Sequence, residues 1–128
     1  LIPLNPSELQ QNYTDQELKE RLDRGTTFVF VPDNEPARRV GGFISVRADN
    51  GELFVDMLAL DEGVQGRGAG TLLFRRAEQY GLSKGCRRMS LYVNDDNIRG
   101  LLFYRKHGMR PARYEFTVRS YVMEKRLG

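Results

Sequence analysis

The sequence predicts an α/β fold: a mixed, largely antiparallel sheet with helices on both faces. Short apolar runs bounded by Gly, Pro or Asn-rich turns indicate strands. Longer segments whose apolar residues recur every three or four positions indicate helices, which interrupt the series of strands. Because the chain has 128 residues and contains no linker, repeat or low-complexity tract, we expect residues 1–128 to form one domain.

The N-terminal part predicts a helix followed by three strands. The segment Thr14–Glu17 is a capping box, and the apolar stripe after it predicts a helix that ends at Gly25. Pro32 ends the strand that follows, and Asp49–Gly51 forms a hairpin turn between the next two strands. A short first strand is predicted at 1–4, and further strands are predicted at 28–31, 40–48 and 52–60.

The C-terminal part alternates helices and strands before two closing strands. The first helix follows a glycine-rich stretch and ends near Gly81 and Gly85. The second follows the turn Asn94–Asn97, whose short polar side chains favour a helix start, and Gly108 ends it. The helices are predicted at 71–83 and 98–107, and the strands at 88–93, 113–118 and 121–125.

Charge is distributed unevenly along the chain. Residues 1–86 carry 10 basic and 13 acidic side chains, whereas residues 87–128 carry 10 basic and 4 acidic ones, within a net charge of +3. A basic C-terminal third suits a polyanionic ligand, either nucleic acid or a coenzyme with several phosphates. The basic residues form no run and no helical stripe, which argues against nucleic acid.

Composition excludes several other classes of protein. No apolar run approaches the ~18 residues of a membrane span, so no membrane association is expected, and no signal-peptide pattern precedes the fold. The one cysteine, Cys86, cannot form an internal disulfide, and we expect it to be a small buried residue in a cytoplasmic protein. No cluster of His, Cys and carboxylates has metal-ligand spacing, so no metal site is predicted.

The most informative stretch is the glycine-rich loop Gln65-Gly66-Arg67-Gly68-Ala69-Gly70-Thr71, which joins an apolar strand to a helix. Glycines let the backbone approach a ligand closely, and a helix that begins there presents unpaired N–H groups and a partial positive charge. The dinucleotide fingerprint G-x-G-x-x-G is excluded because Thr71 stands where the third glycine should be. The nucleotide-triphosphate loop is excluded because no lysine follows Gly70.

Two segments resemble a known family. Gln65–Gly70 reads as Gln/Arg-x-x-Gly-x-Gly/Ala, which resembles the pyrophosphate-binding loop of the GNAT superfamily, the acetyl-CoA-dependent N-acetyltransferases. Leu91–Met109 resembles the second signature of that superfamily, a strand, an Asn-rich turn and a helix that ends in Phe-Tyr-x-x-x-Gly. Met109 replaces the usual final aromatic residue. Both signatures occur in the expected order, and the strand pattern covers nearly all residues from Phe28 onward.

The resemblance implies acetyl-CoA as the co-substrate and assigns residues to it. The pyrophosphate would lie on Gln65–Thr71, with Arg67 as a further phosphate contact. The pantetheine arm would pair with the backbone of Leu58-Ala59-Leu60 as an added strand does. Asn97 would cap the last helix and contact this arm. Tyr104, two helical turns later and on the same side of that helix, would lie beside the thioester sulfur.

The reaction that the resemblance implies is direct transfer of the acetyl group to a primary amine. Tyr104 would protonate the leaving thiolate as a general acid, and a backbone amide near Leu60 would stabilise the oxyanion. Glu52 and Asp56 lie four residues apart on one strand, so both face the same side, and either could deprotonate the amine through water. A solvent-exposed strand face without a base is the alternative. Ribosomal-protein N-terminal acetyltransferases of this superfamily place a glutamate base where Tyr92 stands here.

Two other functions are compatible with the sequence. A GNAT-like domain could hold acyl-CoA without turnover, and the basic C-terminal strands could bind nucleic acid. The acceptor has no readable motif, although the acidic balance of residues 1–86 suggests a cationic amine, either a small molecule or a protein. A homodimer paired through the C-terminal strands, which is common in that superfamily, is also compatible.

Overall fold

The computed structural model describes residues 2–3, 25–32, 40–66 and 68–128. The elements of these residues are β1 (Ile2–Pro3), β2 (Thr26–Phe30), β3 (Gly42–Asp49), β4 (Glu52–Leu60), α1 (Ala69–Ser83), β5 (Arg88–Asn94), α2 (Ile98–Lys106), β6 (Arg110–Glu115) and β7 (Ser120–Arg126). The strands form one sheet in the order β2-β3-β4-β5-β7-β6, and β1 pairs with β4 off that path. Among these strands only β4 and β5 pair in parallel.

The mixed, largely antiparallel sheet with helices packed on it confirms the predicted fold class, and the two described helices lie together on one face of the sheet. The strand predicted at 52–60 has the predicted bounds. Helix α1 begins at Ala69, two residues before its predicted start, because Gly68 takes a left-handed conformation with φ of 83° and forms the N-cap. The helix predicted at 14–25, apart from Gly25, and the turn predicted at 33–36 lie outside the described residues.

The strand predicted at 113–118 is wrong at both ends, because β6 covers Arg110–Glu115 and residues 116–118 form a short 3₁₀ turn. Phe116 and Val118 alternate as strand residues do, but their side chains are exposed, so no burial holds them in the sheet. Arg119, with φ of 48°, then reverses the chain into β7.

A β-bulge at Asp56 determines which side chains of β4 reach the core. Val55 and Met57 oppose consecutive residues of β3, so Asp56 opposes none. The extra residue shifts the alternation by one position. Leu58 therefore lies with Val55 in the buried core, three residues apart instead of two.

Helices α1 and α2 pack against each other over this core. The Phe74 ring of α1 lies 6.1 Å from the Phe103 ring and 6.3 Å from the Tyr104 ring of α2, measured between centroids. A Cβ on Gly70 would lie 3.1 Å from the Phe103 ring, so the missing side chain permits the close approach of the helices. Neither described helix has the length and apolar character needed to cross a membrane.

Candidate functional site

Strands β4 and β5 pair only at their first three residues and then separate. The described pairing joins Glu52–Phe54 to Arg88–Ser90 and ends there. The bulge at Asp56 follows directly and bends β4 away from β5. At its C-terminal end, β4 pairs with β3 along one edge. Its other edge, from which β5 has separated, pairs instead with β1, where Ile2–Pro3 lies opposite Ala59–Leu60. The end of β4 therefore accepts an added extended segment at this opening.

The glycine-rich loop begins at the open end of β4. Gln65 Nε2 donates to the Leu60 carbonyl at 3.4 Å, which ties the loop to the strand. Gly66 and Gly68 have φ of 79° and 83°, a left-handed backbone conformation that residues with a side chain rarely adopt. A Cβ added to either glycine would have no atom within 4 Å. Glycine at these two positions therefore avoids backbone strain and leaves room for a ligand. Arg67 lies outside the described residues.

The first turn of α1 presents unpaired backbone donors. The first helical bond runs from the Leu72 N–H to the Gly68 carbonyl at 3.0 Å, so the N–H groups of residues 69–71 have no partner within the helix. Gly68 has no side chain to cap them. These donors and the helix dipole suit an anion such as a pyrophosphate. Gly70 is buried in this turn and makes room for Phe103, so its role is in packing.

Thr71 joins this turn to the end of α2. Its Oγ1 lies 3.0 Å from His107 Nε2, and His107 Nδ1 lies 2.8 Å from the Phe103 carbonyl oxygen. Because a carbonyl only accepts, Nδ1 carries a proton, and in the neutral imidazole Nε2 therefore accepts from the Thr71 hydroxyl. His107 thereby positions the Thr71 hydroxyl beside the glycine-rich loop.

Asn97 carries a buried donor without a partner. Its Oδ1 accepts from the Gly100 N–H at 3.0 Å, so it caps α2 as predicted. The residue is only 9% exposed, and its Nδ2 has no hydrogen-bond partner among the described residues. A buried unsatisfied amide costs about 1–3 kcal/mol, which a ligand acceptor would recover. The amide carbonyls of a pantetheine arm fit this requirement.

Tyr104 lies on the buried side of α2 with Asn97, as the seven-residue spacing predicts. The residue is 2% exposed, and its ring packs edge-on against Phe103 with centroids 5.3 Å apart. Its side chain is therefore part of the core between the helices and is withdrawn from bulk water. Its role as a general acid stays a prediction.

A cavity of about 230 Å³ lies where β4 and β5 separate. Asp56 lines it, and its Oδ2 accepts from Arg47 Nε at 2.9 Å. Tyr92 of β5 and Arg113 of β6 form the opposite wall. The hydrogen bond to Glu115, and to a smaller extent the contact with Tyr92, raises the pKa of the Arg113 guanidinium above its usual value. The cavity thus combines a carboxylate, a phenol and two permanent cations.

The structure separates the two carboxylates that the sequence offers as bases. Asp56 lines the cavity, whereas Glu52 begins β4, four residues or about 13 Å toward the other end of the strand. Glu52 Oε1 lies 3.5 Å from Arg88 Nη1 in an exposed ion pair. The candidate site therefore contains Asp56 but not Glu52.

Three features of the site have no counterpart in the sequence analysis: the ion pair of Arg47 with Asp56, the wall formed by Arg113, and the bond between Thr71 and His107. Each joins residues on different elements, and no local pattern marks such a pair. Cys86 is a free, buried thiol, as expected. Within the described ranges, no three His, Cys, Asp or Glu side chains cluster as metal ligands would.

Comparisons with known proteins identify relatives of this chain. Residues 2–109 match the model of the Acetyltransferase (GNAT) family. A mycothiol acetyltransferase from Jonesia denitrificans is 36% identical over 85 residues, which are 65% of this chain and 27% of that protein. A mycothiol acetyltransferase from Beutenbergia cavernae is 39% identical over 65 residues, which are 51% and 21% of the two chains. The matches thus span about a quarter of these relatives.

Solved structures share the fold. Ard1 from Thermoplasma volcanium superposes with a TM-score of 0.81 at 21% identity, over 95% of this chain and 85% of that one. The PaiA N-acetyltransferase from Thermoplasma acidophilum, in complex with coenzyme A, superposes with a TM-score of 0.76 at 22% identity, over 94% and 76%. At these identities the likeness shows the fold alone.

Proposed function

The chain belongs to the acetyltransferase (GNAT) family, and from that premise we propose that it transfers the acetyl group of acetyl-CoA to a primary amine by direct attack. The observation that carries the proposal is the orphaned, buried Nδ2 of Asn97. Asn97 lies three residues after the end of β5, the strand that has separated from β4. An unpaired N–H donor at this position could donate a hydrogen bond to a carbonyl group of a ligand that enters between β4 and β5.

The chemistry of the groups around the opening between β4 and β5 suits acetyl-CoA. The pyrophosphate would accept hydrogen bonds from the N–H groups at residues 66–71, with the Thr71 hydroxyl beside them. The pantetheine arm would extend along Leu58–Leu60 and accept from Asn97 Nδ2. Since Ile2–Pro3 pairs with the same edge of β4, the cofactor would have to displace β1.

The proposed reaction uses Tyr104, Asp56 and a backbone N–H group of β4. The neutral amine nitrogen attacks the thioester carbonyl carbon, the C–S bond breaks, and the Tyr104 hydroxyl gives its proton to the leaving sulfur. A backbone N–H near Leu60 donates to the oxyanion that forms in between. The attacking nitrogen loses one proton through a water molecule to the Asp56 carboxylate, which then returns that proton to solvent. Because Tyr104 is buried, it would recover its proton from water that enters the opening after the free thiol has left.

The acceptor would approach through the cavity that Asp56 and Tyr92 line, because the two described helices pack over the core on the other face. The β6–β7 turn connects the strands that supply Arg113 and Val122 to this cavity, and two hydrogen bonds hold it in place. The Tyr114 hydroxyl donates to Asp95 Oδ2 at 2.6 Å, and the Asp95 N–H donates to the Arg119 carbonyl at 2.9 Å. This turn carries Phe116, which is 85% exposed and offers an apolar contact to the acceptor.

Calorimetric titration with acetyl-CoA, with ATP and NAD as controls, tests the cofactor assignment. Selective micromolar binding is the expected result. A panel of amines then tests turnover by release of the free thiol, with Tyr104→Phe as the variant that keeps the ring. Absence of acetyl-CoA binding would overturn the proposal, whereas tight binding without turnover of any amine would favour an acyl-CoA-binding module.

A further inference from the structure

A second concave surface lies at the other end of the sheet, about 1240 Å³ in volume. It lies where β4 and β5 begin and reaches across β7 to the start of β6. Four arginines, one lysine and two glutamates supply the charged side chains of this surface, here termed the basic groove: Arg87, Arg88, Arg110, Arg126, Lys125, Glu52 and Glu124. No residue assigned to the cofactor or to Asp56's cavity belongs to it.

The cations of the basic groove are only partly compensated. Arg88 Nη1 lies 3.5 Å from Glu52 Oε1 and 3.8 Å from Glu124 Oε1, so one guanidinium serves both carboxylates. Lys125 pairs at 2.7 Å with Glu78 of α1, on the other side of the sheet. In the described part of the chain, no ion pair or hydrogen bond engages the remaining three guanidiniums, those of Arg87, Arg110 and Arg126. Four arginines against two glutamates leave a net charge of +2.

The pairing of β5 with β7 places like charges directly opposite each other. Arg88 of β5 and Arg126 of β7 are cross-strand partners with like charges. Arg110 of β6, by contrast, lies opposite Glu124 of β7, which carries the opposite charge. Directly opposed like charges destabilise a sheet. A bound oxyanion between the guanidiniums would reverse that effect, because planar guanidiniums bind carboxylate or phosphate oxygens in pairs.

The lining of the basic groove argues against nucleic acid as the occupant. No aromatic ring lines it, so bases would have no surface on which to stack. Glu52 and Glu124 also line it, and their carboxylates would repel a continuous phosphate backbone but could accept hydrogen bonds from the backbone N–H groups of a peptide. This arrangement suits an extended peptide that carries separated carboxylates.

The position of the basic groove relates it to the cavity of the proposed acetyltransferase site. Arg88 and Tyr92 are four residues apart on β5 and face the same side, which places them about 13 Å apart. An extended peptide covers about 3.3 Å per residue, so its fourth to sixth residues would reach the arginines when its amine reaches Tyr92. We infer that the basic groove is an accessory site that selects acceptor peptides with acidic residues at these positions. This inference rests on the proposed function.

The test compares two seven-residue peptides with a free N-terminal amine, one with Asp at positions 4–6 and one with Asn there. Their affinity for the full chain is measured by calorimetry, with and without saturating CoA. We expect the acidic peptide to bind about tenfold more tightly at low salt and to lose this advantage at high salt. In the double variant Arg110→Gln/Arg126→Gln, the two peptides should bind alike within about twofold. The control Arg75→Gln removes an exposed arginine of α1 and should keep the preference.

Three outcomes of this experiment would overturn the inference. Equal affinity of the two peptides for the unmodified chain overturns the inference, as does a preference that survives the double variant. Tight binding of a ten-nucleotide single strand that depends on the same two arginines also overturns it, in favour of a polyphosphate ligand. Because peptide affinity without CoA does not depend on the cofactor, a chain that fails to bind acetyl-CoA would refute the proposed function separately.

Discussion

Replacement of Asn97 by aspartate should separate its structural role from its proposed ligand contact. Aspartate keeps an oxygen that can cap α2 through the Gly100 N–H but removes the Nδ2 donor. In the free protein a carboxylate oxygen then replaces the unpaired amide; its charge is favourable at a helix N-terminus but costly to bury, so the free energy of unfolding should change little. In the complex, the pantetheine carbonyl would lose its hydrogen bond from Nδ2 and would face a carboxylate oxygen, which is also an acceptor. Acetyl-CoA affinity should therefore fall about tenfold.

Asn97→Ala is the matched variant, because it removes the cap and the donor together. A lost N-cap costs about 1 kcal/mol, which lowers the melting temperature by about 4 °C for a chain of this length. Thermal unfolding of the free variants and calorimetry with acetyl-CoA measure the two effects. Acetyl-CoA binding by Asn97→Asp as tight as that of the unmodified chain would refute the proposed contact between Nδ2 and the cofactor.

Four other measurements test the description. Tyr104→Phe should lower kcat about 10²–10⁴-fold and leave acetyl-CoA affinity within about twofold; loss of affinity with retained kcat would contradict the general-acid role. Deletion of residues 1–3 should strengthen acetyl-CoA binding, because β1 pairs with the edge of β4 that the pantetheine arm would use, and unchanged affinity would argue that the two do not compete. Burial raises the pKa of the Cys86 thiol, so a thiol reagent at pH 8 should react far more slowly with the folded chain than with the unfolded one; equal rates would place the thiol at the surface. The hydrogen bond to Asp95 raises the pKa of Tyr114 above its usual value of 10.0, so its contribution to stability is fully present below pH 10 and is lost as pH rises through the raised pKa. The stability difference between the unmodified chain and Tyr114→Phe should therefore narrow above pH 10 in denaturant titrations, and a constant difference would exclude this linkage.

Local features of the sequence determined much of the fold. The strand at 52–60 is bounded by a hairpin turn and a glycine-rich loop, and these signals lie within a few residues of its ends. Asn97 caps α2 through a bond that reaches only three residues along the chain. The left-handed conformations of Gly66 and Gly68 likewise follow from the residue type that tolerates them. Such features are readable because the interacting groups are sequence neighbours.

Tertiary structure decided the features that depend on strand register and on contacts between distant segments. The bulge at Asp56 arises from pairing with β3, and with the separation of β4 from β5 it leaves Asp56 in the cavity and Glu52 in the basic groove. The bond between Thr71 and His107 joins residues 36 positions apart, which only the packing of α1 on α2 brings together. Strand periodicity gives the side on which a residue lies, but not its partner on the next strand. The opposition of Arg88 and Arg126 is for this reason a property of the folded sheet and not of either segment alone.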